Sequence, residues 1–276
     1  MNATRAERRP CDTLEMKRIL PLTSAEIHLW LAFYDEITEE GLHCAYRELL
    51  DTAEKEQEPR FYFARDRQRY LITRALVRTV LSRYIPIHPK EWIFSTTAYG
   101  RPDIANAQAR EACLVFNISH THSLIVLGVT KRRALGVDVE NFRAREVSLE
   151  IADRYFAPQE VADLTATPPH QQQYRFFEYW TFKEAYIKAR GMGLSLPLDK
   201  FSFHYRDDHA VAIAIAPELA DDSGRWQFWQ LRPASEYLVA ICAERLGAES
   251  PRLIVRQAIP LLSEKTSTHD FLRISA

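Results

Sequence analysis

Two segments, Gly136-Val137-Asp138-Val139-Glu140 and Trp180-Thr181-Phe182-Lys183-Glu184-Ala185-Tyr186-Ile187-Lys188, form the most informative pattern of this chain. The first alternates apolar and acidic residues, so it predicts a β-strand with its two acids on one face and its two valines on the other. The second has apolar residues at helical spacing and predicts a helix with Glu184 and Lys188 side by side next to its apolar stripe. Together they predict three carboxylates and one ammonium group carried by a strand and a helix.

This set of side chains suits a divalent metal that binds a phosphate-bearing substrate. Two carboxylates as close as Asp138 and Glu140 repel each other unless a cation lies between them, and Mg²⁺ prefers carboxylate, water and phosphate oxygens. Two other interpretations need no metal: solvated acids at the end of an exposed strand, and a surface ion pair between Glu184 and Lys188 that contributes about 0.3–0.5 kcal/mol. Lys183 falls within the apolar stripe, where it either extends along that face to solvent or pairs with an acid.

Hydrophobic periodicity outlines the rest of the chain. Residues 1–17 are polar and indicate a loose tail. Helices are predicted over Thr23–Leu50 with Ser24 as N-cap, over Arg65–Tyr84, and over Phe176–Arg190 with Gly191 as C-cap. Strands are predicted over Glu91–Ser95, Leu114–Ile118, Ser123–Thr130, Gly136–Glu140, Phe201–His204, Val211–Ile215, Arg225–Leu231 and Tyr237–Cys242. The same order recurs at a period of roughly 110 residues, which indicates two related α+β halves.

Composition and charge exclude several classes of protein. At 276 residues, with 46% apolar and 26% charged residues, the chain can form one large domain or two small ones with a substantial core. A formal net charge of −1 gives no general attraction to nucleic acid or to an anionic membrane. The four cysteines are far apart in the sequence, which favours reduced thiols over disulfides or a zinc site. With no apolar run of membrane-spanning length and no secretory signal, we expect a cytoplasmic protein.

The order of the motifs resembles that of the Sfp-type 4′-phosphopantetheinyl transferases. The matching motifs are Arg60-Phe61-Tyr62, Tyr99-Gly100-Arg101-Pro102, Phe116-Asn117-Ile118-Ser119-His120-Thr121, Gly136–Glu140, Arg154–Glu160, Trp180–Lys188 and Gly191–Phe203. The resemblance implies an α+β fold of two pseudo-symmetric lobes, each a small, mostly antiparallel sheet packed on a helix, with the active site at the lobe interface. We divide the chain accordingly into a flexible tail (1–17), an N-terminal lobe (18–135), a C-terminal lobe (136–247) and a C-terminal extension (248–276).

The resemblance also implies an activity. Members of the family move the 4′-phosphopantetheine arm of coenzyme A onto a serine of an apo acyl, peptidyl or aryl carrier protein, with Mg²⁺ and with release of adenosine 3′,5′-bisphosphate. By the motif match, Asp138, Glu140 and Glu184 hold the metal against the coenzyme A pyrophosphate, and Lys188 contacts that pyrophosphate. Glu184 and Lys188 are then the catalytic residues, with Glu184 as the group that takes the serine proton.

The nucleotide end of coenzyme A is assigned to a second group of residues. Ser119 and His120 look like the family's pair beside the 3′-phosphate, and Arg69 would share in binding that phosphate. Arg101 stands where the family often has a lysine beside the adenine, a change that keeps the charge but alters the geometry. The segment 54–59 departs from the family pattern because it contains a single cation. The 3′-phosphate is therefore expected to be bound more weakly there, or by the other cations.

A carrier protein is usually acidic and needs a basic, apolar docking patch. Residues 142–156 and the loop at Met192 and Leu194 are the expected surface, and the family type implies a monomer. Two alternative functions are a coenzyme A and carrier-protein binding protein with impaired catalysis, and a metal phosphodiesterase that acts on nucleotides. The complete set of acids together with Lys188 disfavours the first. The second would release adenosine 3′,5′-bisphosphate from coenzyme A without an acceptor.

Overall fold

The computed structural model of the chain describes residues 18–148, 150–247 and 250–275, so the predicted tail lies outside the described residues. Its helices are α1 (Glu40–Leu49), α2 (Thr52–Gln57), α3 (Ala64–Leu81), α4 (Ala107–Glu111), α5 (Glu150–Tyr155), α6 (Pro158–Ala166) and α7 (Pro169–Arg190). Its strands are β1 (Glu26–Phe33), β2 (Phe94–Thr96), β3 (Pro102–Ile104), β4 (Leu114–His120), β5 (Leu124–Lys131), β6 (Leu135–Asn141), β7 (Phe201–Tyr205), β8 (Ala210–Ile215), β9 (Trp226–Leu231), β10 (Tyr237–Glu244), β11 (Arg252–Ile259), β12 (Ser263–Thr266) and β13 (Phe271–Ser275). Within the described residues, no helix is both long and apolar enough to cross a membrane.

Two sheets organise the chain into two related lobes. The first has the strand order β12-β11-β1-β5-β4, and the second has the order β6-β10-β9-β13-β8-β7. In each lobe a first strand (β1 or β6) precedes a long helix (α3 or α7), and two later strands return so that the last one pairs antiparallel with the first. The predicted α+β class with two pseudo-symmetric, mostly antiparallel lobes is therefore confirmed.

Three groups of buried apolar side chains explain why the lobes hold together. One packs α3 and α1 on the first sheet, and a second packs α7 on the second sheet. The third lies between the two sheets and includes Ile27, Leu29, Val137, Val139 and Ile241. Because the valines of β6 enter this third group, the two acids of the same strand must face the opposite side, toward α7.

The predicted helix over Thr23–Leu50 is wrong in its first half. Residues Glu26–Phe33 form β1, which pairs with β5 and β11, and only Glu40–Leu49 is helical. Ser24, the predicted N-cap, lies in the turn before this strand. Alternate side chains of β1 pack toward α3 and toward the other sheet, so both faces are buried. A strand covered on both faces shows an unbroken apolar run, which has the same appearance as a buried helix.

The segment assigned from the sequence to a separate C-terminal extension is part of both sheets. Strand β11 lies parallel to β1 in the first sheet, and β13 lies between β9 and β8 in the second. Ser275 anchors this last strand, because its Oγ accepts a hydrogen bond from the backbone N–H of Phe228 at 2.9 Å. Such strand pairing depends on partners far away in the sequence, which a local pattern does not encode.

Lys183, whose environment the sequence left open, pairs with an acid. Its ammonium group is fully buried and lies 2.7 Å from Oε2 of Glu160, which is equally buried. Nζ also donates to the backbone oxygens of Leu198 and Phe201, and Glu160 accepts hydrogen bonds from two backbone N–H groups. Burial raises the pKa of Glu160 and lowers the pKa of Lys183, while the ion pair opposes both shifts. The pair therefore ties α6 and α7 to the start of β7.

We expect Glu160→Gln to lower the free energy of unfolding by about 2–3 kcal/mol, because Lys183 would stay buried without a counter-charge. Chemical denaturation followed by circular dichroism measures this difference. Glu146→Gln is the matched control, since Glu146 is exposed. A free energy of unfolding within about 0.5 kcal/mol of the parent value would contradict the structural role of the pair.

Candidate active site at the lobe interface

Strand β6 brings the first two candidate acids to the junction of the lobes. Asp138 is buried, and its Oδ1 accepts a hydrogen bond from Ser119 Oγ at 3.0 Å. Lys188 of α7 donates from Nζ to the same Oδ1 at 2.7 Å and to Ser119 Oγ at 2.9 Å. One serine of the first lobe thus meets an acid and a lysine of the second lobe within hydrogen-bond distance. The sequence assigned all three residues to the site, and the fold brings them together.

The other two acids share a weakly solvated environment. Burial raises the pKa of Glu140 to about 7, and the negative charge of Asp138 adds to the shift. Burial likewise raises the pKa of Glu184 to about 7, again with a contribution from Asp138. Glu140 lies 3.6 Å from the guanidinium group of Arg145, measured from Oε1 to Nη2. The Glu184 carboxylate has no hydrogen bond or ion pair with another described residue, so both of its oxygens are available to a ligand.

The oxygen atoms of the three acids can be compared with the ligands that a divalent metal needs. In the described ranges, no three His, Cys, Asp or Glu side chains converge closely enough to form a ready metal cage. Lys188 nevertheless contacts Asp138, and its charge also acts on the half-buried carboxylates of Glu140 and Glu184. Asp138 Oδ2 is buried without a hydrogen-bond partner among the described residues. This surplus of oxygen donors and negative charge fits a hard divalent cation. The shared metal site of Asp138, Glu140 and Glu184 remains a prediction.

Three polar side chains, two from the end of β4 and one from the residue that follows it, join the edge of the first lobe to β6 of the second. They are Asn117, Ser119 and Thr121, whose side-chain oxygens accept hydrogen bonds at 2.8, 3.4 and 3.2 Å from the backbone N–H groups of residues 137, 139 and 141. Each pair is 20 positions apart, so the two strands run side by side with side chains in place of backbone carbonyls. Asp138 and Glu140 lie between these contacts, so the ladder fixes where β6 presents them.

We expect Thr121→Val to weaken this ladder, because the N–H of Asn141 would lose its acceptor while the side-chain volume stays the same. A loss of about 1 kcal/mol corresponds to roughly a fivefold rise in the Mg²⁺ concentration needed for half-maximal activity and in the Kd measured by calorimetry. Thr121→Ser keeps the oxygen and should behave as the parent. If valine and serine gave the same Mg²⁺ affinity, the ladder would have no part in positioning the acids.

A cleft of about 260 Å³ lies between the lobes beside these groups. The first lobe contributes the turn Tyr99–Pro102 and part of β4, and the second contributes α7 from Glu184 to Gly191. Arg101 spans the gap and donates from Nη1 to the backbone oxygen of Lys188 at 3.2 Å. Gly191 ends α7 with a φ of 67°, which confirms the predicted C-cap. The cleft therefore has cations at its wall and Glu184 within it.

Two of the side chains predicted for the nucleotide phosphate, His120 and Arg69, lie near each other. Loss of solvent around the imidazole and the positive charge of Arg69 lower the pKa of His120, and Lys188 contributes in the same direction. Arg69 also forms an ion pair with Asp66, from Nη1 to Oδ1 at 3.2 Å, one turn earlier on α3. The fold thus places Arg69 and His120 in the region of Lys188, and a bound phosphate would share Arg69 with an acid.

Sequence reasoning missed two features of the site. The first is the contact between Arg145 and Glu140, since Arg145 was assigned to a docking surface instead. The second is the structural use of Asn117 and Thr121, which the motifs contained without a role. A signal for the ladder existed, because polar residues recur at every second position, in the order Asn117, Ser119 and Thr121, at the end of β4 and just after it. The five-residue spacing of Arg145 from Glu140 across a turn carries no comparable signal.

Comparisons with known proteins agree across both lobes. The 4′-phosphopantetheinyl transferase superfamily matches residues 134–242, and the N-terminal family of 4′-phosphopantetheinyl transferases matches residues 38–132. The 4′-phosphopantetheinyl transferase HetI of Nostoc sp. is 30% identical over 83% of this chain and 92% of its own length. The 4′-phosphopantetheinyl transferase Sfp of Bacillus subtilis is 33% identical over 72% of this chain and 84% of its own length.

Among solved structures, the holo-[acyl-carrier-protein] synthase of Thermotoga maritima aligns with a TM-score of 0.33 and 18% identity, over 46% of this chain and 69% of that chain. The family assignment depends instead on the sequence relatives, which match most of their own length, and on the two family matches, which together extend over both lobes. The chain therefore belongs to the Sfp-type 4′-phosphopantetheinyl transferase superfamily.

Proposed function

We propose that this transferase moves the 4′-phosphopantetheine arm of coenzyme A to a serine of an apo carrier protein at the lobe interface, with Mg²⁺ and with release of adenosine 3′,5′-bisphosphate. The observation that carries the proposal is the junction of Asp138, Lys188 and Ser119, where both lobes meet at 2.7–3.0 Å beside the cleft. Such a junction places opposite charges where a pyrophosphate and its counter-ion can be held together.

Different charged side chains are assigned to different parts of coenzyme A. A divalent cation held by the three acids would offset negative charge on the pyrophosphate and on the leaving oxygen. Lys188 is partly exposed, with 26% of its side chain accessible, so its ammonium group can contact a phosphate oxygen in the cleft. We assign Arg101 to the adenine side of coenzyme A, and Ser119, His120 and Arg69 to its 3′-phosphate side.

Glu184 is our choice for the group that takes the serine proton. It faces the cleft and has no partner among the described residues, whereas Asp138 is held by Lys188 and Glu140 by Arg145. The serine oxygen of the carrier forms a bond to the phosphorus that bears the pantetheine arm, and the bond from that phosphorus to the bridging oxygen breaks. The proton goes to Glu184, and adenosine 3′,5′-bisphosphate leaves.

Incubation with coenzyme A labelled in the pantetheine arm, Mg²⁺ and apo carrier proteins tests the proposal directly. We expect a labelled carrier and an equal amount of adenosine 3′,5′-bisphosphate, with neither product after chelation and both restored by added Mg²⁺. A carrier with its target serine changed to alanine is the control. Binding of coenzyme A without transfer to any carrier would favour the impaired binding protein. Release of the bisphosphate without a carrier would favour the phosphodiesterase.

The proposed docking surface for the carrier comprises residues 142–156 and the loop at Met192, with the side chain of Leu194 outside the described residues. Exposed Ile151 and Tyr155 give it apolar contacts, and Arg143 and Arg154 give it positive charge. Arg145 belongs to the same segment but is not suited to a test of this surface, because its ion pair with Glu140 links it to the acids. The proposal further places the enzyme in the cytoplasm as a monomer.

We expect Arg143→Glu combined with Arg154→Glu to raise the KM for an acidic carrier protein by about tenfold or more. Two positive charges of the docking surface then become negative and repel the carrier. The KM for coenzyme A should stay at the parent value. Steady-state kinetics with saturating coenzyme A measures the first quantity, and Arg206→Glu, an exposed charge reversal at the β7–β8 turn, is the control. An unchanged carrier KM would exclude this surface.

A further inference from the structure

The buried arginines of this protein follow a pattern that one of them breaks. In the described part of the chain, Arg78, Arg133 and Arg273 are buried. Arg78 lies 2.6 Å from a carboxylate oxygen of Glu54, and Arg273 lies 3.0 Å from one of Glu178. Arg133, only 3% exposed, instead donates to backbone oxygens, and its Nε is buried without a partner among the described residues. A buried guanidinium group without a carboxylate contact is unusual, because its charge is left uncompensated.

Arg133 lines a second cleft, of about 370 Å³, together with three further arginines. These are Arg101, Arg110 and Arg132. None of the four arginines takes part in an ion pair among the described residues, whereas Arg78, Arg225 and Arg273 do. The acid that acts on Arg133 is Glu244, whose carboxylate is already bound by Arg225 and by the N–H of Ala134. The cleft therefore concentrates positive charge that the protein itself does not neutralise.

Backbone oxygens hold most of these guanidinium groups in place. Arg101 donates to the oxygen of Lys188, and Arg110 donates from Nε to the oxygen of Ile104 at 2.9 Å. Arg132 has a φ of 65°, and its N–H donates to the oxygen of Cys113 at 2.9 Å, which fixes the turn at the end of β5. Carbonyl oxygens orient a guanidinium group without cancelling its charge, so its remaining N–H donors and its positive charge are still available to a ligand.

We propose that this arginine cleft, formed by Arg101, Arg110, Arg132 and Arg133, binds a small phosphate-bearing anion. A phosphate group carries close to two negative charges at neutral pH, and guanidinium forks match its oxygens in pairs. The proposal does not depend on the proposed function. Of the four arginines, Arg101 alone also lines the lobe-interface cleft, which contains Glu184 and Lys188. The two clefts are thus neighbours with one shared wall.

Equilibrium dialysis with labelled inorganic phosphate tests the site on the full chain saturated with coenzyme A, so that the lobe-interface cleft is filled. We expect saturable binding of one phosphate per chain, weakened more than about tenfold by Arg132→Glu or by Arg110→Glu. Both residues are exposed and lie outside the lobe-interface cleft, so transfer of phosphopantetheine should continue at the parent rate. Arg206→Glu should bind phosphate as the parent does.

Two competition experiments show whether the arginine cleft recognises phosphate geometry, and whether the phosphate is free or part of a nucleotide. Succinate at equal concentration should displace little phosphate if phosphate geometry is recognised, and adenosine 5′-monophosphate should displace it more strongly than free phosphate if the ligand is a nucleotide. Displacement by succinate at least as strong as by phosphate would overturn the assignment to phosphate. Absence of saturable binding in the parent, or unchanged binding in both arginine variants, would overturn the site.

Discussion

Glu184→Gln should reduce the rate of transfer by on the order of 10³-fold, because it removes both the proton acceptor and one proposed ligand of the cation. The change keeps the size and shape of the side chain. Coenzyme A affinity should stay within about threefold of the parent value, since Lys188 and the arginine at the cleft wall are untouched. Single-turnover transfer from labelled coenzyme A to a carrier protein measures the rate, and calorimetry measures the affinity.

The same variant separates chemistry from folding through its dependence on pH. Burial raises the pKa of Glu184 from its ordinary value of 4.5 to about 7, so the folded protein holds this proton more tightly than the unfolded chain does. Stability therefore falls as the pH rises from about 4.5 to about 7, where the unfolded chain releases this proton before the folded protein does. Above about pH 7 that loss is complete, so without metal Glu184→Gln should melt at or above the parent temperature there. Below pH 4.5 the difference should vanish.

Glu218→Gln, an exposed acid of the second lobe, is the matched control and should leave both rate and stability unchanged. A Glu184→Gln enzyme that transfers within tenfold of the parent rate would show that another group takes the proton. A variant that melts well below the parent would show that Glu184 serves the fold, and its low rate would then say nothing about chemistry.

The sequence indicated most of the residues of the candidate site because they lie on elements with clear periodicity. The alternation of β6 and the helical stripe of α7 fixed which faces carry Asp138, Glu140, Glu184 and Lys188. What local pattern could not provide was the pairing between distant segments. The burial of β1 on both faces, the entry of β11 and β13 into the two sheets, and the contact of Lys183 with Glu160 each depend on a partner from elsewhere in the chain.

One residue of the GVDVE motif, Gly136, had no role in the sequence-based interpretation, and its role becomes visible only in the packed structure. A Cβ atom at this position would lie 1.9 Å from the backbone oxygen of Ala185 and 2.5 Å from the backbone nitrogen of Ala189. Both contacts are with the backbone of α7, which cannot rotate away as a side chain can. Gly136 therefore sets the distance between the strand that carries Asp138 and the helix that carries Lys188.

We expect Gly136→Ala to destabilise the protein by more than about 3 kcal/mol, above the usual range for an added methyl group, because α7 must move as a whole. For a chain of this size that corresponds to a fall in Tm of about 6 °C or more. Any folded fraction should bind Mg²⁺ more weakly, since the strand acids and the helix acid would be held farther apart. Thermal unfolding and Mg²⁺ calorimetry measure the two effects.

Gly41→Ala provides a matched control, because Gly41 lies in α1 and a Cβ atom there would meet nothing within 4 Å. That substitution should raise stability by about 0.5–1 kcal/mol through helix propensity alone. If Gly136→Ala also kept the parent Tm and Mg²⁺ affinity, close contact between β6 and α7 could not be what positions the acids. The spacing of the proposed metal ligands would then have to depend on the β4–β6 ladder instead, and Thr121→Val would become the more damaging change.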